Sequence, residues 1–156
     1  MNPEVLESLD ETKEELKRAD HLLFVSLKYT RTVDVIKNVL NRLVSVYEKG
    51  VDTLLDLALE EKKLSKVPVA VNLKAKAVLE VYASRELESF INFYLMLRRI
   101  NRSFFERREE YRRHVAMVVY LDDMNVVEIG TDELYEFFRK TTEFIELLEE
   151  FIYDSN

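Results

Sequence analysis

The strongest constraint on the fold is a helical period that runs without a gap through the middle of the chain. Apolar residues recur at alternating steps of three and four over residues 33–57, and a second apolar stripe accompanies them. A helix with two apolar stripes is buried on more than one side, so this segment is predicted to be the centre of a helical bundle. The first stripe consists of Val33, Ile36, Leu40, Leu43, Tyr47, Gly50, Leu54 and Leu57.

Gly50 is the weak position of this predicted central helix. It falls on the first apolar stripe, where a glycine costs roughly 1 kcal/mol relative to alanine. Close approach of a neighbouring helix or a kink would compensate for that cost. Either explanation is open from the sequence.

Helices are also predicted on both sides of the central segment. Asn2 and Pro3 form a start signal for a first helix that should end near Leu27, and the YTRT stretch after it predicts a break. Asn72 is predicted to cap a third helix over residues 73–100. This third helix ends in a densely aromatic half.

The last third of the chain mixes helices with a β-hairpin. Ser103 and Glu106 have the spacing of a capping box, which predicts a short fourth helix. The β-branched stretches VAMVVYL and VVEI then predict a hairpin over about residues 115–129, with Asp122 and Asp123 in its turn. Because the first of these strands is apolar on both faces, we expect cover from the bundle on one side and from a second subunit on the other. A final helix is predicted over residues 132–152.

Composition favours one domain of the all-α class. The 156 residues suffice for one well-filled core, because domains commonly have about 100 to 150 residues, so residues 1–156 are predicted to form a single domain. Gly and Pro number two each, which leaves little material for loops that cradle phosphate. We therefore predict an antiparallel helical bundle of about five helices with one β-hairpin before the C-terminal helix.

Several classes of site are excluded or disfavoured by residue types. The chain has no cysteine, so disulfides, thiolate zinc sites and a cysteine nucleophile are excluded. Neither histidine has the Glu-x-x-His spacing of a di-iron bundle, and no calcium loop is present, so we predict no metal and no cofactor. His21 lies beside the apolar face of the first helix and is predicted to be hydrogen-bonded within the bundle.

The sequence also predicts where the protein resides. No run approaches the roughly 20 apolar residues that span a bilayer, and the N-terminal segment is acidic. We therefore expect a soluble, cytoplasmic protein that does not contact membranes. Abundant Glu, Lys and Arg with no Gln resembles the composition of proteins from hot environments.

Residues 98–114, RRINRSFFERREEYRRH, form the arginine segment. It contains seven arginines and three glutamates, a local charge of +4, in a chain whose net charge is −7. Acidic residues dominate both ends of the chain. The arginines are Arg98, Arg99, Arg102, Arg107, Arg108, Arg112 and Arg113.

Two interpretations of the arginine segment are open. In the first, its arginines bind the phosphates of RNA or the charges of another acidic partner, and Phe104, Phe105 or Tyr111 stacks on bases. In the second, Glu109 pairs with Arg112 or Arg113, the two phenylalanines enter the core, and the other arginines face the acidic terminal helices.

A family resemblance rests on two stretches. Residues 19–47, ADHLLFVSLKYTRTVDVIKNVLNRLVSVY, and the later AMVVYLDDMNVVEIGTDELYEFF resemble a family of archaeal helical proteins of similar length. That family is broadly similar to the HEPN superfamily. The resemblance implies a helical bundle, often dimeric, and in active members a metal-independent RNase with an R-x(4 to 6)-H motif.

Arg108 and His114 have the spacing of that motif, with five residues between them. The resemblance implies that Arg108 would hold the scissile phosphate and that His114 would act as general acid or base. In the HEPN pattern a small polar residue usually follows the arginine, whereas Glu109 follows Arg108 here. From the residues alone, His114 could equally end a helix and stabilise its C-terminal dipole.

Three functions follow from these patterns. The first is a non-catalytic HEPN-like module that binds RNA or another acidic partner through the arginine segment. The second is a metal-independent RNase that uses Arg108 and His114. The third is a structural protein whose arginine segment serves only folding or dimerisation. A homodimer is expected in each, because apolar surface on the hairpin and the central helix exceeds what one small bundle easily covers.

Overall fold

The computed structural model describes residues 2–122 and 124–154, which form five helices and a small antiparallel sheet. The predicted mainly helical class and the hairpin before the last helix are confirmed, and the sheet has a third strand. The helices are α1 (Pro3–His21), α2 (Val33–Glu60), α3 (Val71–Tyr82), α4 (Arg85–Arg102) and α5 (Thr131–Tyr153). The strands are β1 (Phe104–Arg108), β2 (Ala116–Tyr120) and β3 (Val126–Ile129).

Helix α1 begins at its predicted cap, and the helical path continues slightly beyond its predicted end. The Asn2 side chain accepts a hydrogen bond from the backbone N–H of Glu4 at 2.8 Å. Beyond the end of α1 the chain stays helical through a π-helical turn, Leu22–Ser26, and a last α-helical turn, Leu27–Tyr29. The predicted break in the YTRT stretch follows directly.

Helix α2 is the buried centre of the bundle, as its two apolar stripes predict. It has 28 residues and therefore measures about 42 Å. The Thr32 hydroxyl caps its first turn by accepting from the backbone N–H of Val35 at 3.3 Å. The other four helices all pack against α2, and 15 of its residues are buried. The second stripe is buried except at its two ends, and it consists of Val35, Val39, Val46, Val51, Leu55 and Leu59.

Gly50 allows α5 to approach α2 closely. A Cβ atom at this position would lie 2.5 Å from the Cε2 atom of Phe144. Of the two explanations open from the sequence, close helix approach is therefore present. The ring of Phe144 fills the space that a side chain at residue 50 would need.

The predicted third helix is in fact two helices, α3 and α4. Ala83 adopts a left-handed conformation, with φ 45° and ψ 44°, and this ends α3. The Ser84 hydroxyl then accepts from the N–H of Leu87 at 3.1 Å and starts α4. The prediction was wrong because no glycine or proline marks the break. The Asn72 cap was also wrong, because α3 already begins at Val71.

The predicted short helix after Ser103 was wrong as well, because a β-strand takes its place. The Ser103 hydroxyl donates to the carbonyl of Arg99 at 2.6 Å and so closes α4 instead of capping a new helix. The five residues of β1 pair antiparallel with β2. They satisfy backbone groups on an edge of β2 that would otherwise lack partners.

The sheet has the order β1–β2–β3, and its two faces differ sharply. Residues that pair across strands share a face, so the register assigns each side chain to one side. The inner face, which packs on the bundle, carries Phe105, Arg107, Met117, Val119, Val127 and Ile129. The outer face carries Phe104, Glu106, Arg108, Ala116, Val118, Tyr120, Val126 and Glu128.

The hairpin turn is closed by backbone contact. The N–H of Leu121 donates to the carbonyl of Asn125 at 2.9 Å. Asp122, one of the two predicted turn residues, is exposed. Asp123, the other, lies outside the described residues.

An aromatic cluster fills the core between α2, α4 and α5. The ring of Tyr47 stacks on Phe144 at 4.5 Å and on Tyr94 at 5.7 Å between centroids. The Thr141 hydroxyl, also buried, lies 3.2 Å from the Tyr47 hydroxyl and donates to it. None of the helices in residues 2–122 and 124–154 is both long and apolar enough to cross a membrane.

Candidate nucleic-acid interface

The arginine segment forms one edge of the sheet and extends over three structural elements. It begins at the end of α4, forms all of β1 and continues into the loop before β2. Because β1 advances about 3.3 Å per residue, its two ends are on the order of 13 Å apart. No single helix carries the arginines, which fall into three groups: Arg98, Arg99 and Arg102; Arg107 and Arg108; Arg112 and Arg113.

Arg107 lies on the inner face and attaches β1 to the bundle. Its guanidinium donates to Asp34 at 2.8 Å and to Glu110 at 3.2 Å. These two carboxylates raise the pKa of Arg107 above its usual value. The guanidinium also lies 5.8 Å from the ring centre of Phe105. Arg107 therefore holds β1 against the start of α2.

Glu110 holds the loop after β1 against the start of α2. Its carboxylate accepts from the backbone N–H of Val33 at 3.0 Å, in addition to the bond from Arg107. The backbone N–H of Tyr111 donates to the carbonyl of Arg31 at 2.6 Å. The predicted ion pairs of Glu109 with Arg112 or Arg113 are not formed within the described chain. Glu110 forms an ion pair instead, and its partner is Arg107.

Arg108 lies on the outer face and is also paired. Its guanidinium contacts the carboxylate of Glu128 on β3. Because β2 lies between β1 and β3, this ion pair crosses the central strand above Ala116 and Val118, both of which are buried. Cover for the outer face of β2 thus comes from within the chain, and the strand does not require a second subunit here.

A groove of about 560 Å³ lies where α4 meets the outer face of the sheet. Its volume is in the range of sites that bind small molecules or single nucleotides. Three arginines from the last turns of α4 and two aromatic rings from the sheet line it. The lining includes Arg98, Arg99, Arg102, Phe104, Tyr120 and Asp122.

The two rings form an exposed pair across β1 and β2. The ring centres of Phe104 and Tyr120 are 5.8 Å apart, with 39° between their planes. Phe104 is 70% exposed and Tyr120 is 38% exposed. Phe105, by contrast, is half-buried against the core. The prediction that both phenylalanines enter the core is therefore correct for Phe105 and wrong for Phe104.

Four arginines of the segment have no acidic partner. Within the described chain, no carboxylate lies at ion-pair distance from Arg98, Arg102, Arg112 or Arg113. Three of the four are exposed, and Arg98 is half-buried beside the groove. The guanidinium groups of the three exposed arginines are therefore free to bind phosphate or carboxylate groups of another molecule. Arg98 also lines a smaller cavity that contains Glu48 and Asp52.

A second cleft, of about 360 Å³, lies at the opposite end of the sheet. Arg31, Arg113 and His114 line it together with the first residues of α5. Arg31 is held near Arg113 by a 3.4 Å hydrogen bond from its guanidinium to the Arg113 carbonyl. Three acids, among them Glu128, also line this cleft, so its charge is mixed.

The two residues of the predicted catalytic pair are both near Glu128. Arg108 contacts its carboxylate, and His114 lines the same cleft as Glu128. His114 is exposed in the loop that leads into β2, not at a helix end, so the alternative of a helix-terminal histidine was wrong. Its imidazole makes no hydrogen bond to the described chain, whereas Arg108 is neutralised by Glu128. Arg31 and Arg113, not Arg108, share the lining of one cleft with His114.

The other histidine carries no site. His21 is exposed at the end of α1. Its imidazole makes no hydrogen bond within residues 2–122 and 124–154, so the predicted bundle hydrogen bond was wrong. Across the same residues, no three His, Asp or Glu side chains are grouped in a way that could hold a metal ion.

Tyr120 and Arg31 are the candidate residues that sequence patterns missed. Tyr120 sits at the end of an apolar strand, and only the register with β1 places it beside Phe104. Arg31 lies about eighty residues from Arg113 in sequence, and the loop after β1 brings them together. Strand β1 has no alternation of apolar and polar residues that could have indicated a strand, because FFERR has two aromatic residues followed by three charged ones.

Comparison with known proteins gives no match at any level. No family model, no curated protein and no solved structure matches the chain. The resemblance to HEPN proteins therefore stays a prediction.

Proposed function

We propose that this protein binds RNA through the groove between α4 and the outer face of the sheet. The observation that carries the proposal is the pairing of two chemistries at one place. Arg98 and Arg102 have no carboxylate partner within the described chain, and they stand beside two exposed aromatic rings. Guanidinium groups bind the phosphates of a nucleic acid, and aromatic rings stack on its bases, so one strand can contact both where the two kinds of group lie close together.

The charge distribution supports an anionic polymer as the partner. The arginine segment has a charge of +4, and the rest of the chain therefore has −11. A polyanion is repelled by most of the surface and attracted to one region, which favours a single orientation of binding. An acidic protein would meet the same electrostatic field, but it offers no flat bases to the exposed aromatic pair.

Charge reversal tests the proposal directly. Arg98→Glu combined with Arg102→Glu should weaken RNA binding by at least about tenfold at low salt, because two phosphate contacts become repulsive. The measurement is a titration of labelled mixed-sequence RNA at about 50 mM salt, the regime in which phosphate contacts are strongest. Lys62→Glu combined with Arg85→Glu is the matched control.

The control pair changes net charge by the same amount. Lys62 and Arg85 are exposed and make no ion pair with the described chain, and Arg85 begins α4 about 26 Å from Arg102. Equal loss of affinity in both double variants would mean that net charge alone governs binding. Loss of thermal stability in the groove variant, without any RNA binding by the unmodified protein, would instead support a structural role for the segment.

A metal-independent ribonuclease that uses Arg108 and His114 is the alternative function. The observation that favours it is the exposed imidazole of His114, which makes no hydrogen bond to the described chain. Arg108 lies outside the cleft that His114 lines, so Glu128 would have to release Arg108 for the two side chains to act together. Cleavage of RNA in the presence of EDTA, lost in His114→Ala, would establish this activity. Cleavage that persists in that variant would rule it out.

We also propose that the protein is a cytoplasmic homodimer. The supporting surface joins the π-helical turn to α5, where Phe24 stacks on Tyr135 at 5.3 Å and both rings remain partly exposed. Val25 adds further exposed apolar area beside them. A monomer mass at micromolar concentration by sedimentation would exclude this dimer.

A further inference from the structure

We infer that the groove selects single-stranded nucleic acid, with Phe104 and Tyr120 as a platform on which unpaired bases stack. The inference rests on the proposed function, because it names the form of nucleic acid that the same groove binds. It assigns the aromatic pair a role in recognition that is separate from the electrostatic role of the arginines.

The first step concerns the position of the rings. Phe104 pairs with Tyr120 across the strands and both point to the outer face, away from the core that takes Phe105 and Val119. Cross-strand aromatic contact alone could explain the pair, since such contacts stabilise a sheet. It does not explain why 70% of Phe104 stays exposed beside three arginines.

The second step concerns what the rings can contact. In a duplex the base faces are stacked and paired inside the helix, and A-form RNA presents a narrow major groove that side chains cannot enter. A ring fixed on a β-sheet can reach a base face only when the base is unpaired. Arg98 and Arg102 line the same groove, and their guanidinium groups can contact the phosphates of such a strand.

The third step concerns the carboxylate in the lining of the groove. Asp122 lines the same groove and supplies a carboxylate. A carboxylate repels phosphate, and it accepts hydrogen bonds from the amino groups of bases. The lining thus combines cations that can contact phosphates with an acceptor that can contact the amino groups of bases.

The experiment compares four probes of equal length at one salt concentration. They are a single-stranded RNA, its blunt duplex, a single-stranded DNA of the same sequence, and an abasic deoxyribose-phosphate strand. The abasic strand retains the phosphates and lacks every base. We expect both single strands with bases to bind at least about tenfold more tightly than the duplex and the abasic strand, since one stacked base accounts for a difference of that size.

Phe104→Trp provides a direct signal at the platform. The chain has no tryptophan, so the new indole would be the only one in the protein. Its emission should be quenched when a single strand with bases binds, and unchanged when the abasic strand binds. Phe104→Ala should abolish the preference for bases and leave the salt dependence of the remaining affinity intact.

Tyr111→Ala is the matched control for Phe104→Ala. Tyr111 is a similarly exposed aromatic residue of the arginine segment, but it lies in the loop beyond the opposite end of β1. The preference for bases should survive in this variant. Because Phe104 and Tyr111 are both mostly exposed, neither change should prevent folding, and circular dichroism would verify this.

Several results would overturn the inference while leaving RNA binding in place. One is equal affinity for single strand, duplex and abasic strand, and another is an indole emission of the Phe104→Trp variant that stays unchanged at saturation with single-stranded RNA. Binding of polyglutamate as tightly as single-stranded RNA would also overturn it, since stacking would then contribute nothing. A dimer that dissociates in Phe104→Ala, with no change in probe preference, would assign this face to a second copy.

Absence of binding to all four probes at low salt would be a different failure. It would remove the proposed function together with the inference that rests on it. The two failures are thus distinguishable in one set of titrations.

Discussion

At the scale of single residues, Gly50 has the clearest physical requirement in the chain. Its missing side chain lets the ring of Phe144 enter the seam between α2 and α5. The same ring stacks on Tyr47, so the glycine indirectly positions the aromatic core. A side chain at residue 50 must displace a packed aromatic ring.

Gly50→Ala should therefore destabilise the protein, although alanine is the better helix former. We expect the free energy of unfolding to fall by about 1 to 3 kcal/mol, the usual cost of overpacking a core. Urea denaturation measures this change. In the Phe144→Leu background the loss should be smaller, because leucine has no ring at the position of the clash, and an equal loss in both backgrounds would contradict this packing account.

Tyr94 makes stability depend on alkaline pH. Burial, with a contribution from the carboxylate of Glu48, raises the pKa of its hydroxyl to about 12. Between about pH 10, where an unfolded tyrosine ionises, and pH 12 the folded state retains a proton that the unfolded state loses. The free energy of unfolding should therefore decrease as the pH rises through this window, by about 1 kcal/mol per pH unit for this residue.

Tyr94→Phe should make that decrease less steep, and Tyr47 and Tyr82, whose pKa values burial also raises, account for the remainder. The Tyr94 hydroxyl makes no hydrogen bond to the described chain, so its removal should cost little at neutral pH. Denaturation curves for the two proteins at about pH 9 and about pH 11 test the expectation, with the exposed Tyr29→Phe as control. An unchanged slope in Tyr94→Phe would assign the alkaline sensitivity to other groups.

At the scale of elements, the sequence predicts what depends on local or periodic signals. The capping side chain of Asn2 and the two stripes of α2 determine their elements locally, and both predictions are confirmed. Strand β1 could not be predicted in this way, because Ser103 and Glu106 also have capping-box spacing. Residues 104–108 form a strand and not a helix because the edge of β2, which follows later in the chain, requires backbone hydrogen-bond partners.

The candidate interface follows the same division. Its arginines stand out in the sequence, but their division into paired and unpaired residues depends on distant partners such as Asp34 and Glu128. The contact of Phe104 with Tyr120 likewise depends on strand register. The sequence of the segment predicts a cationic region, and tertiary contacts determine which of its arginines have an acidic partner.

The break between α3 and α4 gives a prediction at this scale. Ala83 holds a left-handed conformation that costs an L-residue with a side chain roughly 1 kcal/mol or more, and glycine adopts it freely. Ala83→Gly should therefore raise the free energy of unfolding by up to about 1 kcal/mol, which urea denaturation would measure.

Lys76→Gly is the control for that change. Lys76 is exposed in the middle of α3, where glycine should lower the free energy of unfolding by about 1 kcal/mol. Opposite signs for the two glycine substitutions would support the left-handed break. Destabilisation by both would contradict it.

At the scale of the whole molecule, the folded chain separates its charges. The acidic N-terminal part of α1 and the acidic surface of α5 contrast with the arginines at the sheet. Of the seven arginines in the segment, Arg107 and Arg108 stabilise the sheet, and four others have no acidic partner in the described chain. The interpretation that the segment is internally paired thus holds for Arg107 and Arg108, and the binding interpretation stays a prediction for the other arginines.

The central claim is that unpaired arginines at the groove bind nucleic-acid phosphates. The most direct test measures the RNA association constant at several salt concentrations and takes the slope of its logarithm against the logarithm of salt concentration. The unmodified protein is compared with a double variant, Arg98→Gln combined with Arg102→Gln. The account predicts a steep negative slope that becomes shallower by about 0.7 for each phosphate contact removed. A slope that is identical in the two proteins, or RNA that fails to bind at low salt, would contradict it.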